Sequence, residues 1–285
     1  MSSVLIVGTV SEVAKTISSE IPHIMKAFGG FDQIEVFLVE SDSKDNTIEE
    51  LFFLKTKFPK LHFAILGNLK EKIPDRIERI RYCRNIYVDY VRENFSSNNW
   101  NYIVVMDLDG MNMKLTRKGV DSCFLNNLKW SGVFANQKNG YYDLLALRHK
   151  NWMPNNCFQD LDWYKMAIEI NSSKIGKFRN FFRYDSIKSA AIWSKMIKIP
   201  EQARWIEVES AFGGMGIYKS EIFLKYDYTS STKNSESEHI SLHSKFDEIF
   251  EKKYINPTLI NSNWNEYNLY RIKFFRFMLF LKNLL

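Results

Sequence analysis

The sequence predicts an α/β fold: a mainly parallel sheet with helices on both faces. Three observations lead there. Over the first hundred residues, short apolar runs alternate with longer segments of helical spacing, as crossover-connected parallel strands require. The runs are short buried strands rather than spans. The polar clusters Gly8-Thr9, ESDSKDN (40–46) and DLDG (107–110) each follow a strand's carboxyl end, where open α/β sheets bind ligands.

Taken in order, SVLIVG (3–8) is the first strand, and SEVAKTISSEIPHIMKAF (11–28) has helical spacing with Pro22 expected to bend it. IEVFLVE (34–40) is the second strand. TIEELFFLKTKF (47–58) is a helix, with Thr47 and Glu50 at capping-box spacing. LHFAILG (61–67) is a third strand, DRIERIRYCRNIYVDYVREN (75–94) a longer helix, and YIVVMD (102–107) a fourth strand.

The second half changes character. GVFANQKNGYYDLLALR (132–148) reads as two strands around an Asn-Gly turn, and 151–205 as an insertion covering a cleft. WIEVESAFGGMGIYK (205–219) reads as strand, Gly-rich bend and strand, and NSESEHISLHSKFDEIF (234–250) as a polar loop entering a helix. Residues 1–265 are expected to form one catalytic domain, with a nucleotide-binding half over about 1–110 and an acceptor-binding half over 111–265. Residues 266–285 form a basic, aromatic amphipathic helix that suits either the core or an anionic membrane surface.

Composition limits the function classes. Of 285 residues, 45% are apolar and 25% charged, so a sizeable core is available. Cys83, Cys123 and Cys157 form neither a disulfide framework nor a zinc pattern, which favours a reducing compartment. MSSVLIVGTV does not read as a signal peptide, and no run reaches the ~18–20 apolar residues of a spanning helix. The expected location is cytoplasmic, with peripheral attachment to the inner membrane face as an option. The net charge of +6 favours an anionic partner.

The stretch NWNYIVVMDLDGMN (99–112) carries the chemistry. Side chains alternate along a strand, so Asp107 and Asp109 can point the same way. Two neighbouring carboxylates repel unless a cation lies between them. A hard divalent ion, Mg²⁺ or Mn²⁺, commonly takes one or two carboxylates together with substrate phosphates. A solvated strand exit is the plainer alternative.

With these motifs in order, the chain resembles glycosyltransferases of the GT-A fold over roughly residues 3–260. VESDSKDNTIEEL resembles the second-strand segment meeting base and ribose, RYCRN (81–85) the Arg-Asn helix segment beside the nucleotide, and VVMDLDG the Asp-x-Asp motif. FGGMGIYK (212–219) resembles the Gly-rich segment near the acceptor, and SEHISLH (237–243) the acidic helix start. Together ESDSKDNT, YYDLLALR, SAFGGMGIYK and SEHISLH most resemble the fungal capsule-associated mannosyltransferase family and its bacterial relatives. The resemblance implies a Rossmann-like nucleotide-binding sheet continuous with a smaller acceptor-binding region. It also implies a metal-dependent transfer of a hexose from a nucleotide-diphosphate sugar to a glycan or lipid-linked glycan, as in capsule or lipopolysaccharide synthesis.

On that resemblance, Gly8, Thr9, Glu40, Asp42, Arg81, Arg84, Asn85, Asp107, Gly213 and Gly214 are expected around the donor. Asp107, Asp109 and His243 are expected at the metal, and Glu238 and Asp109 in catalysis. Arginine suits a pyrophosphate through its planar fork, and glycines 213 and 214 permit close backbone approach. Glu238 can take an acceptor proton or simply complement the helix dipole. The Glu-Asp pair common in inverting enzymes is Glu238-His239 here, which leaves the stereochemical outcome open. Asp42 serves equally as a ribose or base contact or as a helix cap, whereas Asp45 suits a cap or turn; Asp143 can hold sugar hydroxyls or pair with Arg148; Trp152, Trp163 and Trp205 can stack on sugar rings but better suit core packing. A nucleotidyltransferase is the nearest alternative, but it would carry a basic Gly-rich loop where GTVSEVAK stands. A non-enzymatic module for anionic surfaces is the other, and would bind in a salt-sensitive way without metal. No nucleic-acid partner is expected.

Overall fold

The computed structural model describes residues 2–159, 185–229, 237–246, 252–265, 268–272, 275, 276, 278, 279 and 282. Its strands are β1 (Ser3–Val10), β2 (Gln33–Glu40), β3 (Leu61–Ile65), β4 (Tyr102–Asp107), β5 (Trp130–Gln137), β6 (Ile206–Val208), β7 (Met215–Lys219) and β8 (Lys252–Ser262). They form one sheet in the order β3-β2-β1-β4-β7-β5-β8-β6. The first four strands run parallel, β7 lies antiparallel between β4 and β5, β8 runs parallel to β5, and β6 is antiparallel to β8.

The near-continuous apolar strands are explained by burial on both faces. Leu5, Val7, Ile103 and Val105 face one core, shared with Cys83, Tyr87, Val88 and Val91 of α3 (Arg76–Asn98). Their neighbours Val4, Ile6, Val104 and Met106 face a second core, against α1 (Ile17–Ala27) and α2 (Thr47–Lys57). Both faces of the sheet therefore carry helices, as expected.

Several boundaries differ from the sequence reading. The first helix begins at Ile17 rather than residue 11, and Pro22 lies within it. The Thr47–Glu50 capping box does not form. Thr47 accepts from the Val13 N–H (2.8 Å), and Glu50 is taken by the Ser18 hydroxyl, while Asp45 accepts the Thr47 N–H (3.0 Å). Of the two strands expected over 132–148, only the first exists: after β5 the chain turns through Gly140 (φ 137) and rejoins Ser210 by a single bridge at Arg148. The expected strand before the Gly-rich bend is the three-residue β6.

Within the expected cleft insertion, 160–184 lie outside the described residues. Of the tail, Arg276 is described: it hydrogen-bonds Asp185 (Nη2–Oδ2 2.9 Å) and lies 4.4 Å over Trp193. Among the described residues no helix is long and apolar enough to cross a membrane.

The chain runs outward from β1 to β3, then returns to β1's other side as β4, so the order reverses between β1 and β4. A crevice opens beyond the carboxyl ends at such a point. Thr9 and Asp107 sit side by side there in register. Gly8 keeps the two strands close: a Cβ on it would lie 2.7 Å from the Met106 carbonyl oxygen and 2.8 Å from a Leu108 methyl. Gly8→Ala is therefore expected to destabilise the fold by about 1–3 kcal/mol, as overpacking does. Urea unfolding measures it, and an unchanged midpoint would mean that these strand ends have slack.

Candidate active site

Beyond the carboxyl ends of β1 and β4 lies a cavity of about 810 Å³. Thr9, Asp42, Arg84, Asp107, Asp109 and Glu238 of the expected residues all line it. Asp107 ends β4, Leu108 turns into the core, and Asp109 returns to the cavity, so the alternation that motivated the pair holds. Glu238 opens helix α6 (Glu238–His243), which Ser237 caps.

Arg84 on α3 ties this floor together. Its Nε donates to Glu238 (2.8 Å), Nη2 to Asp107 (3.2 Å) and Nη1 to the Tyr87 hydroxyl (3.2 Å). The rings of Phe212 and Tyr228 lie 5.2 and 5.7 Å from the guanidinium carbon. Burial opposes its charge, yet Tyr87, Glu238, Tyr228 and Asp107 together hold its pKa well above the ordinary value.

Negative charge nevertheless exceeds positive. Burial pushes the Asp107 pKa up to about 7; Arg84 pulls against that shift, and Asp109, Asp143 and Glu238 add to it. The Asp107 side chain is 36% accessible and faces the cavity, so solvent screens part of this field. Asp143 is likewise raised, first by burial, with the Gly213 and Ala146 N–H groups opposing and Glu238 adding. A crowd of carboxylates that resists ionisation calls for a cation, and an all-oxygen set suits a hard one. Among the described residues no three His, Cys, Asp or Glu converge to cage a metal unaided. Asp107 and Asp109 thus offer two carboxylates of the kind a hard divalent ion takes, with its further ligands coming from outside the protein.

The other expected residues act around the cavity rather than in it. Gly214 accepts the Asp107 N–H through its carbonyl (2.9 Å), and the Gly213 N–H donates to Asp143 (2.9 Å). Both glycines have positive φ (66° and 78°), and a Cβ on Gly213 would lie 2.8 Å from the Ala135 carbonyl oxygen. Asn85 grips the backbone of Tyr228 through both its amide oxygen (3.0 Å) and nitrogen (2.9 Å). Arg81 pairs with Glu78 three residues earlier (2.7 Å). Glu40 accepts the Ser43 N–H (3.0 Å). Asp42, itself in the cavity lining, has a left-handed conformation (φ 65°), accepts the Lys70 N–H and pairs with Arg79 at 3.0 Å.

His243 is not brought to the aspartates. Its Nδ1 lies 2.8 Å from the Ser210 hydroxyl and its Nε2 3.0 Å from the Tyr218 hydroxyl, so both ring nitrogens, one as donor and one as acceptor, are engaged inside the core. The imidazole nearer the cavity is His239, stacked on Phe212 (3.8 Å between centroids), with its Nε2 3.7 Å from Glu238. Burial lowers the pKa of both histidines well below 6.5, with Arg84 and His243 adding for His239 and Lys253 for His243. Trp152 and Trp205 pack on Tyr141 and Tyr254; Trp163 lies outside the described residues.

No protein-family model matches the chain, and no curated protein matches it in sequence. Solved structures do match. A mannosyltransferase from Pyrobaculum calidifontis, in complex with GDP-Man and Mn²⁺, has a TM-score of 0.51 at 12% identity, over 91% of this chain and 56% of its own. The chain has the GT-A glycosyltransferase fold. It spans little more than half the length of that mannosyltransferase. TarS from S. aureus with UDP-GlcNAc (TM-score 0.45, 12% identity, 93% of this chain and 59% of its own) also matches. So does glucosyl-3-phosphoglycerate synthase from Mycobacterium tuberculosis with Mn²⁺, UDP-glucose and phosphoglyceric acid (0.37, 10%, 92% and 69%).

In this GT-A sheet, further residues reach the cavity that no motif spacing announced. Tyr142 and Asp143 come from the irregular stretch after β5. Arg76 and Arg79 come from the first turns of α3, and Lys188 and Trp193 from the far wall. The sequence signal available was the basic density of 76–84, which is spread around a helix and so does not reveal which arginine turns inward.

Arg84→Met leaves Asp107 and Glu238 without their shared buried counter-ion and is expected to cost roughly 3–5 kcal/mol at pH 7, measured by denaturant unfolding. A loss under 1 kcal/mol would show the carboxylates are already relieved. Because the native imidazoles stay neutral while unfolded ones take protons below ~6.5, histidine-linked stability is present above that pH and lost as pH falls. His239→Phe, which preserves the Phe212 stack, removes one such proton. Its stability relative to wild type should rise by about 1.4 kcal/mol per pH unit lowered below 6. A difference that stays constant from pH 7 to 5 would mean that His239 is charged in the native protein.

Proposed function

We propose that this chain is a metal-dependent glycosyltransferase that moves a hexose from a nucleotide-diphosphate sugar to a hydroxyl of a glycan or lipid-linked glycan. The observation that carries this reading is the Asp107–Asp109 pair at the strand-order reversal of a GT-A sheet, on a cavity floor where Asp107, Asp109, Asp143 and Glu238 surround Arg84 while Arg76, Arg79 and Lys188 line the walls. The Mn²⁺ in the Pyrobaculum mannosyltransferase supports the same requirement here. When bound, a Mn²⁺ or Mg²⁺ ion would supply charge neutralisation for the departing diphosphate.

The chain's own residues divide the remaining work. Asp107 and Asp109 would hold the ion. Thr9, Asp42, Arg76 and Arg79, at the β1–β2 side of the cavity, would meet the nucleotide, with the arginine forks suited to phosphate oxygens. Glu238 faces the cavity from α6 and is the candidate to accept the acceptor hydroxyl's proton. Arg84 would fix Glu238 and Asp107 relative to one another. The resemblance of SEHISLH and FGGMGIYK to capsule-associated mannosyltransferases supports a place in capsule or lipopolysaccharide synthesis. The basic residues Arg271, Lys273 and Lys282 of the tail support contact with an anionic membrane face, whereas Arg276 is buried against Asp185.

A thermal-shift panel of nucleoside diphosphates with and without Mn²⁺ should single out one base, stabilised only with metal. With the matching sugar donor, Asp107→Asn and Asp109→Asn should each lose on the order of 10²–10³-fold in turnover while melting near wild type. Normal transfer by both variants would overturn this mechanism.

A further inference from the structure

Directly beneath the aspartate pair runs a buried polar chain that the reading above does not use. It starts at Glu20 on α1, which is fully buried, outside the cavity lining, and without a salt-bridge partner among the described residues. Its Oε2 accepts the Gly110 N–H (2.8 Å), and its Oε1 accepts both the backbone N–H and the side-chain amide of Asn112 (2.9 Å each). The same Asn112 amide donates to the Asp107 carbonyl (2.6 Å). One carboxylate thus holds the backbone after Asp109 directly, and the Asp107 carbonyl before it through the Asn112 side chain.

The chain continues. Asn112 Oδ1 accepts from Asn261 (3.3 Å), whose amide also donates to the Gly213 carbonyl (2.9 Å). Gln137 donates to that carbonyl (2.8 Å) and to Asn261 (3.1 Å). Gly213 in turn presents its N–H to Asp143 (2.9 Å). The carboxyl-end segments of β4, β5 and β8 and the bend before β7 are therefore joined beneath the carboxylate cluster by fully buried amides.

An uncompensated buried carboxylate is a costly device for packing a helix. Three converging N–H donors explain it, because they suit an acceptor-only group and reject a neutral amide. We propose that Glu20 is the positioning residue of the Asp107–Asp109 loop: it sets the geometry in which that loop grips a divalent cation. The inference rests on the metal reading above. It concerns a residue that touches neither metal nor substrate.

The test uses the full chain and Mn²⁺ alone, with free Mn²⁺ followed by electron paramagnetic resonance. Glu20→Gln turns a donor towards Gly110 or Asn112 at nearly constant shape and should weaken Mn²⁺ affinity roughly 10–100-fold. Ile24→Val, which trims the same helix's core face, should leave affinity unchanged and so separates positioning from stability. Without metal, amides 108–112 should exchange hydrogen at least ~10-fold faster in Glu20→Gln, with 102–106 unaffected. Asn112→Ala should reproduce both effects, and it carries the test should Glu20→Gln not fold.

Equal Mn²⁺ affinity in wild type and Glu20→Gln overturns the inference and leaves the metal reading standing. If wild type itself takes no Mn²⁺, the metal reading falls. Exchange then decides alone: faster 108–112 exchange supports Glu20 as the loop's anchor, and unchanged exchange overturns it.

Discussion

A guanidinium buried among carboxylates is the constraint on which the rest of this molecule is organised. Arg84 joins the end of β4 to the start of α6, contacts 154 residues apart to Glu238 and 23 apart to Asp107. Taking such a charge from water costs several kcal/mol, and only well-placed opposite charges offset it. The chain supplies them and adds two aromatic faces from Phe212 and Tyr228. Asn85, the next residue, clamps the Tyr228 backbone, so the arginine and its aromatic roof are fixed by adjacent positions on one helix.

Charge balance then explains why the floor of the cavity is reactive rather than merely stable. Arg84 satisfies one face of Asp107 and one oxygen of Glu238. Asp109 and Asp143 bring further negative charge to the same volume, and burial, with their field added, raises the Asp107 pKa to about 7 against the pull of Arg84. A cation at such a site would relieve the repulsion. The backbone does the aiming: Gly214 and Asn112 take the Asp107 N–H and carbonyl, and Gly213 and Ala146 take the Asp143 carboxylate.

The parallel half was legible in the sequence because its strands are buried on both faces and so appear as continuous apolar runs. The other half was not. β8 reads KKYINPTLINS, with a proline, two asparagines, a threonine and a serine inside it. Its pairing with β5 shifts register between Ile255 and Ile260, and Pro257 sits in that irregularity, where no ladder hydrogen bond is asked of it. Asn136 uses the slack, donating to the Pro257 carbonyl (3.0 Å). YYDLLALR has strand composition but becomes a turn, because Asp143 is held by Gly213 and Ala146 instead of continuing a ladder.

The site divides in the same way. Asp107 and Asp109 were readable by themselves, since strand alternation and the position after an apolar run are local properties. Glu238 and Arg84 were readable as types, but that they bond to one another was not. The two histidines show the limit most clearly. Spacing places His239 and His243 on one helix face, and only packing decides that His243 spends both nitrogens on Ser210 and Tyr218 while His239 lies against Phe212 beside Glu238. Glu20 looked like one more charge on an amphipathic helix. The sequence alone determined the strand series, the helix faces and the metal-suited pair, because those follow from periodicity along the chain. Which polar groups meet was decided only by tertiary structure, because hydrogen bonds and ion pairs depend on distances between segments that no local spacing encodes.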